Sequence, residues 1–171
     1  EMIRMNDKVT KLNHKQEMII SIIVPFIIVY FLMSYVFGVV VIRGDSMQPT
    51  YSHGDTVLIL RTGYVPDYGD VLVCTGNGYP IIKRVVGKGG DTISIENEKI
   101  AVNGLNTSIS DTVSFETDAV KMPYTVADDS YFVIGDNTTA SIDSRFSSVG
   151  DIHQTQIIGK VILKIRGNDN E

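Results

Sequence analysis

The feature that most constrains this chain is a long apolar run near its beginning. Residues Ile19 to Ile42 contain no Asp, Glu, Lys, Arg, His, Asn or Gln over 24 positions. As an α-helix the run would be roughly 36 Å long, enough to cross a hydrocarbon core of about 30 Å. A cleavable signal peptide would have an apolar region of about 7–15 residues and then a small-x-small site, and neither is found here. A core helix of this length without a polar face is unusual in so small a domain.

The run and its flanks predict the domain organisation. We expect an N-terminal tail at 1–18, a transmembrane helix at 19–42 and a β-rich domain at 43–171. Gly38 to Ile42, which is rich in valine, is equally compatible with a first strand of that domain. Four basic residues precede the run, whereas only Arg43 is basic directly after it. This asymmetry predicts a single-pass protein with a cytoplasmic N-terminus and an extracytoplasmic C-terminal domain.

The composition of the domain argues against several functions. From Arg43 to Glu171 there are 11 Lys and Arg residues against 17 Asp and Glu residues, which gives a formal charge of −6. Nucleic acid, which needs a basic surface, is therefore not an expected partner. Cys74 is the only cysteine, so the domain has no internal disulfide. The three histidines are scattered, and no Cys/His/carboxylate cluster has the spacing of metal ligands, so no metal site is expected.

The domain has the pattern of a β protein. Short β-branched and alternating segments bounded by Gly, Pro and Asn predict seven strands. They lie at 55–60, 70–74, 79–86, 91–96, 99–102, 131–134 and 157–165. Residues 105–130 are polar and predict an extended excursion, and no helical period of useful length follows the apolar run. The expected fold is mainly β, with the transmembrane helix followed by an antiparallel, curved or open-barrel-like sheet.

Three polar segments could carry chemistry. Ser46 lies in a turn flanked by Gly44 and Pro49, directly after the apolar run. Lys83 is embedded in an apolar strand, and the loop from Gly135 to Arg145 is densely polar. A serine that cleaves an amide needs a base, and a lysine serves when an apolar site keeps it neutral.

Each segment also has an ordinary structural explanation. Taken singly, Ser46 is typical of a turn serine, Lys83 of a lysine that faces solvent, and Asp143 with Arg145 of a simple salt bridge. His53 and His153 are other possible bases, but neither comes with a motif that would supply an orienting carboxylate. The residues alone therefore leave the catalytic interpretation open.

Taken together and in order, the segments resemble a known family. GDSMQPT with the following GDTVLI, then YGDVLV, KRVVGKGGDTI, VNG and GDNTTASIDSR, are similar to the sequence boxes of bacterial type I signal peptidases. These are membrane-anchored endopeptidases of protein export that use a serine and a lysine. The likeness extends from the apolar run to about residue 160, and the short chain with one anchor resembles the Gram-positive form.

The resemblance implies a role for each matching residue. Ser46 would be the nucleophile and its backbone N–H an oxyanion donor, and Lys83 would be the general base. Ser141 would orient the lysine amine. The supporting residues would be Asp143 and Arg145, joined in a salt bridge, and the neighbouring Arg84, while Met47 and Pro49 are candidates for the substrate pocket. Some members carry a serine two residues before the nucleophile as a second oxyanion donor. This chain has Gly44 there, so a backbone group or water must substitute.

The function so implied is removal of N-terminal signal peptides from secreted preproteins at the bacterial cell membrane. Small residues would stand at the first and third positions before the cut, and the precursor would bind as an added strand. Expected partners are preproteins, membrane lipid and the secretion machinery, and no cofactor is implied. Two alternatives are a self-cleaving Ser/Lys regulatory peptidase and a catalytically silent, membrane-tethered β domain. The first should have a DNA-binding helical domain before its serine, where this chain has an apolar run.

Overall fold

The structure is a computed structural model that describes residues 13–96, 99–107 and 119–167. Its single long helix, α1, runs from His14 to Val36, and none of its residues is buried within the protein. Ser21 and Ser34 donate hydrogen bonds to carbonyls of the preceding turn, each at 2.8 Å, which satisfies their hydroxyls inside an apolar helix. Among the described residues, α1 alone is long and apolar enough to cross a membrane.

The helix ends earlier than the apolar run does. Phe37–Val41 form strand β1, which pairs in antiparallel register with β2, Thr56–Leu60. The structure thus ends the helix at Val36 instead of 42, and β1 is shifted by one residue from the alternative strand at Gly38 to Ile42. Tertiary pairing decides the matter, because valines in an apolar run fit a strand as well as a helix. Gly38 also has a packing reason, since a Cβ atom there would lie 2.7 Å from Nε of Arg61.

The remaining strands complete two antiparallel sheets, which confirms the mainly β fold. They are β3 (Val71–Gly76), β4 (Tyr79–Lys88), β5 (Thr92–Glu96), β6 (Lys99–Val102), β7 (Leu105–Asn106), β8 (Tyr124–Thr125), β9 (Ser130–Ile134), β10 (Ile152–His153) and β11 (Ile157–Arg166). The larger sheet has the order β1-β2-β11-β3-β4-β9-β10, and the smaller one β7-β6-β5-β8. Neither sheet closes into a barrel within the described part of the chain.

The excursion predicted at 105–130 lies only partly within the described residues. Its two ends supply the short strands β7 and β8 to the smaller sheet, and residues 108–118 lie outside the description. The turn between β6 and β7 is Asn103-Gly104, with positive φ at both residues. That backbone conformation is the one for which Asn-Gly is favoured in tight hairpins.

The fold brings the three polar segments to one part of the larger sheet. Ser46 lies in the loop between β1 and β2, Lys83 lies within β4, and the polar loop follows β9. Two backbone hydrogen bonds close the base of the first loop, from Ile42 N to the Asp55 carbonyl at 2.8 Å and from Gly54 N to the Ile42 carbonyl at 2.9 Å. The Ser46 turn is thus an outgrowth of a regular strand pair, which limits its movement.

Candidate active site

Ser46 and Lys83 are in direct contact. Lys83 Nζ lies 2.8 Å from Ser46 Oγ, although the two residues are 37 positions apart in sequence. The lysine amine also donates to the carbonyl of Ile82 at 3.0 Å. Ser46 is half-buried and lines the cavity described below. The spacing is within the range for proton transfer between a nucleophile and its base.

Lys83 is buried in an apolar part of the sheet. Its residue is 3% exposed, and in the strand register it lies opposite Leu72 on β3. Burial penalises the ammonium form and lowers the pKa of Lys83 below its usual value. The strand does not show simple alternation here, because Ile82 and Lys83 are both buried. The solvent-facing lysine expected from strand period alone is therefore not found.

Two carboxylates raise the pKa of Lys83, and each is held by an arginine: Asp143, which has the larger effect, by Arg145, and Asp136 by Arg84. Asp143 raises the pKa of Lys83 more weakly than burial lowers it. Arg145 grips that carboxylate twice, Nε to Oδ1 at 2.8 Å and Nη2 to Oδ2 at 3.0 Å, and both residues are almost fully buried. The positive charge of Arg145 itself also acts to lower the pKa of Lys83. The predicted salt bridge is present, and it keeps the lysine next to a neutralised acid.

The same ion pair fixes the polar loop after β9. Asp143 accepts from the backbone N–H of Gly135 at 3.0 Å. Arg145 Nη2 donates to the carbonyls of Thr138 and Ser141, at 2.9 and 3.2 Å. Buried backbone groups of an irregular loop are satisfied in this way by charge-assisted bonds. The loop is consequently held in one conformation beside Ser46.

Ser141 does not make the hydrogen bond that the resemblance implies. Its hydroxyl is buried and has no hydrogen-bond partner among the described residues. The Lys83 amine bonds to Ser46 Oγ and to the Ile82 carbonyl, so the expected bond to Ser141 is absent from this structure. Ser141 nevertheless borders the site, because a Cβ atom on Gly135 would collide with both Ser141 Oγ and the Ser46 carbonyl.

Arg84 connects the polar loop to β4. Its guanidinium forms a two-pronged pair with Asp136, Nε to Oδ1 at 2.7 Å and Nη2 to Oδ2 at 2.5 Å. Nη1 donates to the Gly69 carbonyl at 2.8 Å. Since Arg84 follows Lys83 directly, this pair ties the strand that carries the lysine to the loop that borders it.

Sequence reasoning assigned no role to Asn137, which contacts the Ser46 turn. The backbone N–H of Asn137 donates to the Ser46 carbonyl at 3.0 Å, and its side-chain amide donates to the Asp45 carbonyl at 3.2 Å. Gln48 adds a bond from its amide to the Asp45 carboxylate at 2.9 Å. Its place in the GDN sequence of the polar loop was the one feature that could have drawn attention to Asn137. No pattern within the chain indicates which backbone groups it contacts.

Two backbone N–H groups in the Ser46 turn are candidate donors to an oxyanion, and one of them is already hydrogen-bonded to a side chain. The backbone N–H of Ser46 makes no hydrogen bond with another described residue. The N–H of Gly44, by contrast, donates to Nδ1 of His53 at 3.1 Å. His153, the other histidine considered as a base, lies 2.8 Å from the Thr155 hydroxyl through Nδ1. Neither of these histidine contacts involves the Ser46 hydroxyl.

A cavity of about 570 Å³ opens beside Ser46 and Lys83. Its walls are formed by residues 40–43, at the end of β1, and by residues 79–83 of β4, and Ser46 and Val73 also line it. The two pocket candidates from sequence do not line it. Met47 is 1% exposed and packs into the apolar core under β1, β2 and β3, while Pro49 is exposed on the surface. Met47 points inward because it anchors the turn, so proximity in sequence to Ser46 was a poor guide to the pocket.

No metal centre accompanies this arrangement. The described residues include no group of three or more His, Cys, Asp or Glu side chains that could hold a metal ion. Cys74 is buried, and burial raises its pKa to about 12, so its thiol is not a nucleophile at neutral pH. Among the described residues that line the cavity, Ser46 and Lys83 are joined by a side-chain hydrogen bond.

Comparison with known proteins identifies the family of the chain. The family described as "Signal peptidase, peptidase S26" matches residues 15–165. Signal peptidase IB of Staphylococcus aureus (strain COL) is 32% identical over 169 residues, which cover 86% of this chain and 87% of that protein. Signal peptidase I of Bacillus amyloliquefaciens is 30% identical over 151 residues, or 81% of each chain. A crystal structure of a signal peptidase I from Enterococcus faecalis V583 is covered completely and overlaps 60% of this chain, with 23% identity and a TM-score of 0.48.

These similarities define a peptidase, since the relatives are peptidases and the match spans almost the whole chain. The chain belongs to the signal peptidase family, peptidase S26.

Proposed function

We propose that this chain is a membrane-bound serine endopeptidase that removes N-terminal signal peptides from secreted preproteins, with Ser46 as nucleophile and Lys83 as general base. The observation that carries the proposal is the 2.8 Å contact between Lys83 Nζ and Ser46 Oγ. It is supported by the burial of the amine, which lowers its pKa, and by the cavity that opens beside the pair. Membership of the signal peptidase family gives the substrate class.

The first half of the reaction forms an ester on Ser46. Neutral Lys83 accepts the hydroxyl proton over the 2.8 Å contact while Oγ attacks the carbonyl carbon before the cut. The free N–H of Ser46 donates to the resulting oxyanion. Collapse of the intermediate breaks the C–N bond, and the Lys83 ammonium returns its proton to the departing amine. That amine is the new N-terminus of the mature protein.

The second half releases the signal peptide. Lys83, neutral again, takes a proton from water, and the hydroxide so generated attacks the ester carbonyl. Breaking the C–O bond returns the proton to Ser46 Oγ through the lysine. Atoms and protons balance over the cycle, with one water consumed for each peptide bond cut and with no cofactor.

The supporting residues act through the dyad. Asp143 and Arg145 hold the loop and keep the acid near Lys83 neutralised. Arg84 fixes the strand that carries the base. Ser141 is a positioning residue whose buried, unpartnered hydroxyl is available to the amine when the lysine turns between the two half-reactions.

Precursor binding uses the cavity walls. An extended segment lying between residues 40–43 and 79–83 would present alternate side chains to each wall, as a strand does. Small side chains at the first and third positions before the cut are the feature that such shallow apolar walls accept. Helix α1 would anchor the chain in the membrane, where the precursor's own apolar segment resides, with the N-terminus cytoplasmic and the β domain extracytoplasmic. Membrane lipid and the secretion machinery are the corresponding partners.

The proposal is tested by incubating the purified chain in detergent with a secreted preprotein and identifying the new N-terminus by mass spectrometry. We expect one cut after a small residue by the parent, and no cut by Ser46→Ala or Lys83→Ala. The same variants separate the proposal from a silent binding domain, which would bind the precursor and leave it intact. Cleavage by both variants at the parental rate would show that the dyad is assigned wrongly.

A further inference from the structure

Apart from Lys83, the cavity beside Ser46 contains one charged side chain among its described lining residues. Arg43 stands three positions before the nucleophile, at the end of the wall formed by residues 40–43. The rest of the lining is valine, isoleucine, proline, Tyr79 and Ser46. An arginine stays protonated at every relevant pH, whereas Lys83 must be neutral to act as a base. Arg43 therefore sets the charge that an incoming peptide meets.

This cation has no partner in the described part of the protein. The five ion pairs there engage Arg84, Lys88, Arg145, Lys160 and Lys164. Arg43 is exposed and makes no side-chain hydrogen bond to another described residue. The nearest acid in sequence, Asp45, accepts instead from Gln48 at 2.9 Å. A guanidinium left unpaired in a domain of formal charge −6 is available to a ligand.

The chemistry of the guanidinium indicates the ligand. Its rigid fork of N–H donors matches a carboxylate and pairs with it through two parallel bonds. A lysine or arginine of the precursor at the same position would be repelled by the guanidinium. We propose that Arg43 selects precursors that carry an Asp or Glu side chain close to the cut. The inference rests on the proposed function and adds a preference for charge to it.

Strand geometry restricts where the preference appears. Side chains of an extended peptide alternate between the two walls, so Arg43 meets one position, or two positions of the same parity, and never adjacent ones. An exposed ion pair of this kind corresponds to about a two- to fivefold effect on kcat/KM at low salt. The effect should shrink as ionic strength rises, because exposed charges are screened.

The test uses the full chain in detergent micelles and a peptide that it cuts, with Asp, Asn or Lys placed in turn at each position around the cut. Arg43→Gln removes the charge at similar length, and Arg43→Glu reverses it. Arg61→Gln is the matched control, because Arg61 is likewise exposed and outside the described ion pairs but does not line this cavity. We expect Asp to be favoured over Asn about two- to fivefold at one parity in the parent and in Arg61→Gln. The preference should vanish in Arg43→Gln and turn towards Lys in Arg43→Glu.

Several results would overturn the inference. A flat scan in the parent, or a preference that survives both Arg43 substitutions, excludes Arg43 as the selector. An equal loss in Arg61→Gln assigns the effect to the overall field of the protein. If cleavage does not depend on the charge of the peptide, and Arg43→Gln binds lipid vesicles more weakly than the parent, Arg43 interacts with lipid headgroups instead. Failure of the proposed function has a different signature, since Ser46→Ala would then cut the uncharged peptide as fast as the parent.

Discussion

Gly135 lies where the polar loop touches both serines of the site. An ideal Cβ atom built on it would fall closer than 3.0 Å to Ser141 Oγ and to the Ser46 carbonyl, and 2.6 Å from Ser141 Cβ. Ordinary Cβ contacts begin at 3.4 Å, so the last of these alone requires a movement of about 0.8 Å. The φ angle of Gly135 is not in the left-handed region, so an alanine is compatible with the backbone and acts through crowding alone.

The expected result of Gly135→Ala is a large loss of turnover with a moderate loss of stability. Misplacing reacting groups by about 1 Å costs on the order of 100-fold in rate, which is about 2.7 kcal/mol of barrier. Overpacking a buried site costs about 1–3 kcal/mol of unfolding free energy. KM should change little, because Gly135 does not line the cavity.

The assay measures kcat and KM for precursor cleavage together with thermal unfolding. Gly87→Ala is the matched control. Its added Cβ atom would lie 2.7 Å from Ile93 Cδ1 and 3.3 Å from Phe132 Cβ, and neither serine is among the nearest atoms. It should lose stability and keep its turnover. If Gly135→Ala folds and its kcat stays within about threefold of the parent, Gly135 does not position the nucleophile, because a displaced nucleophile should cost far more.

Three further substitutions test the surroundings. Asp143→Asn leaves Arg145 buried without its counter-charge and should lower the unfolding free energy by about 3–5 kcal/mol, measured by denaturant titration. Arg145→Gln removes the charge that lowers the pKa of Lys83 and frees Asp143, which raises it. Because only the neutral amine acts as base, the rising limb of kcat/KM against pH should move to higher pH. Met47→Ala should cost about 2–5 kcal/mol of stability, as expected for a core side chain.

Each of these has a result that contradicts it. Asp67→Asn, which breaks the exposed pair with Lys88, is the control for Asp143→Asn and should cost less than about 1 kcal/mol. Equal losses from the two would mean that burial of the ion pair is unimportant. A pH limb that stays in place or moves down in Arg145→Gln contradicts the electrostatic argument. If Met47→Ala altered the choice of precursor and left stability unchanged, Met47 would belong to the pocket after all.

The sequence was informative wherever a local pattern determines structure. Alternating apolar residues and turn residues predicted the longer strands. The salt bridge between Asp143 and Arg145 was predicted because two opposite charges two positions apart lie on the same face of an extended segment. The end of α1 could not be read in the same way, because Phe37–Val41 are apolar and become a strand only by pairing with β2. The short strands β7 and β8 likewise depend on partners rather than on their own residues.

The site illustrates the same division. The resemblance selected Ser46 and Lys83, but their contact arises from strand order in the sheet, and strand order has no local signal. Met47 was a pocket candidate because it follows Ser46 in the chain, but its neighbours in space are residues of the apolar core. Arg43 was visible in the sequence only as a charge after the apolar run. Its place in the cavity wall required β1 to end where it does.

In the proposed mechanism Ser46 and Lys83 work as one unit. The most direct test is a double-mutant cycle on kcat/KM for precursor cleavage, using Ser46→Ala, Lys83→Met and the double variant, where methionine replaces the buried lysine without a charge. When two residues act as one unit, replacing either one removes the contribution of both. Each single change should therefore reduce kcat/KM by about 1,000-fold or more, and the double change should reduce it no further. Losses that multiply in the double variant, or a Lys83→Met enzyme that cuts at the parental rate, would contradict the account.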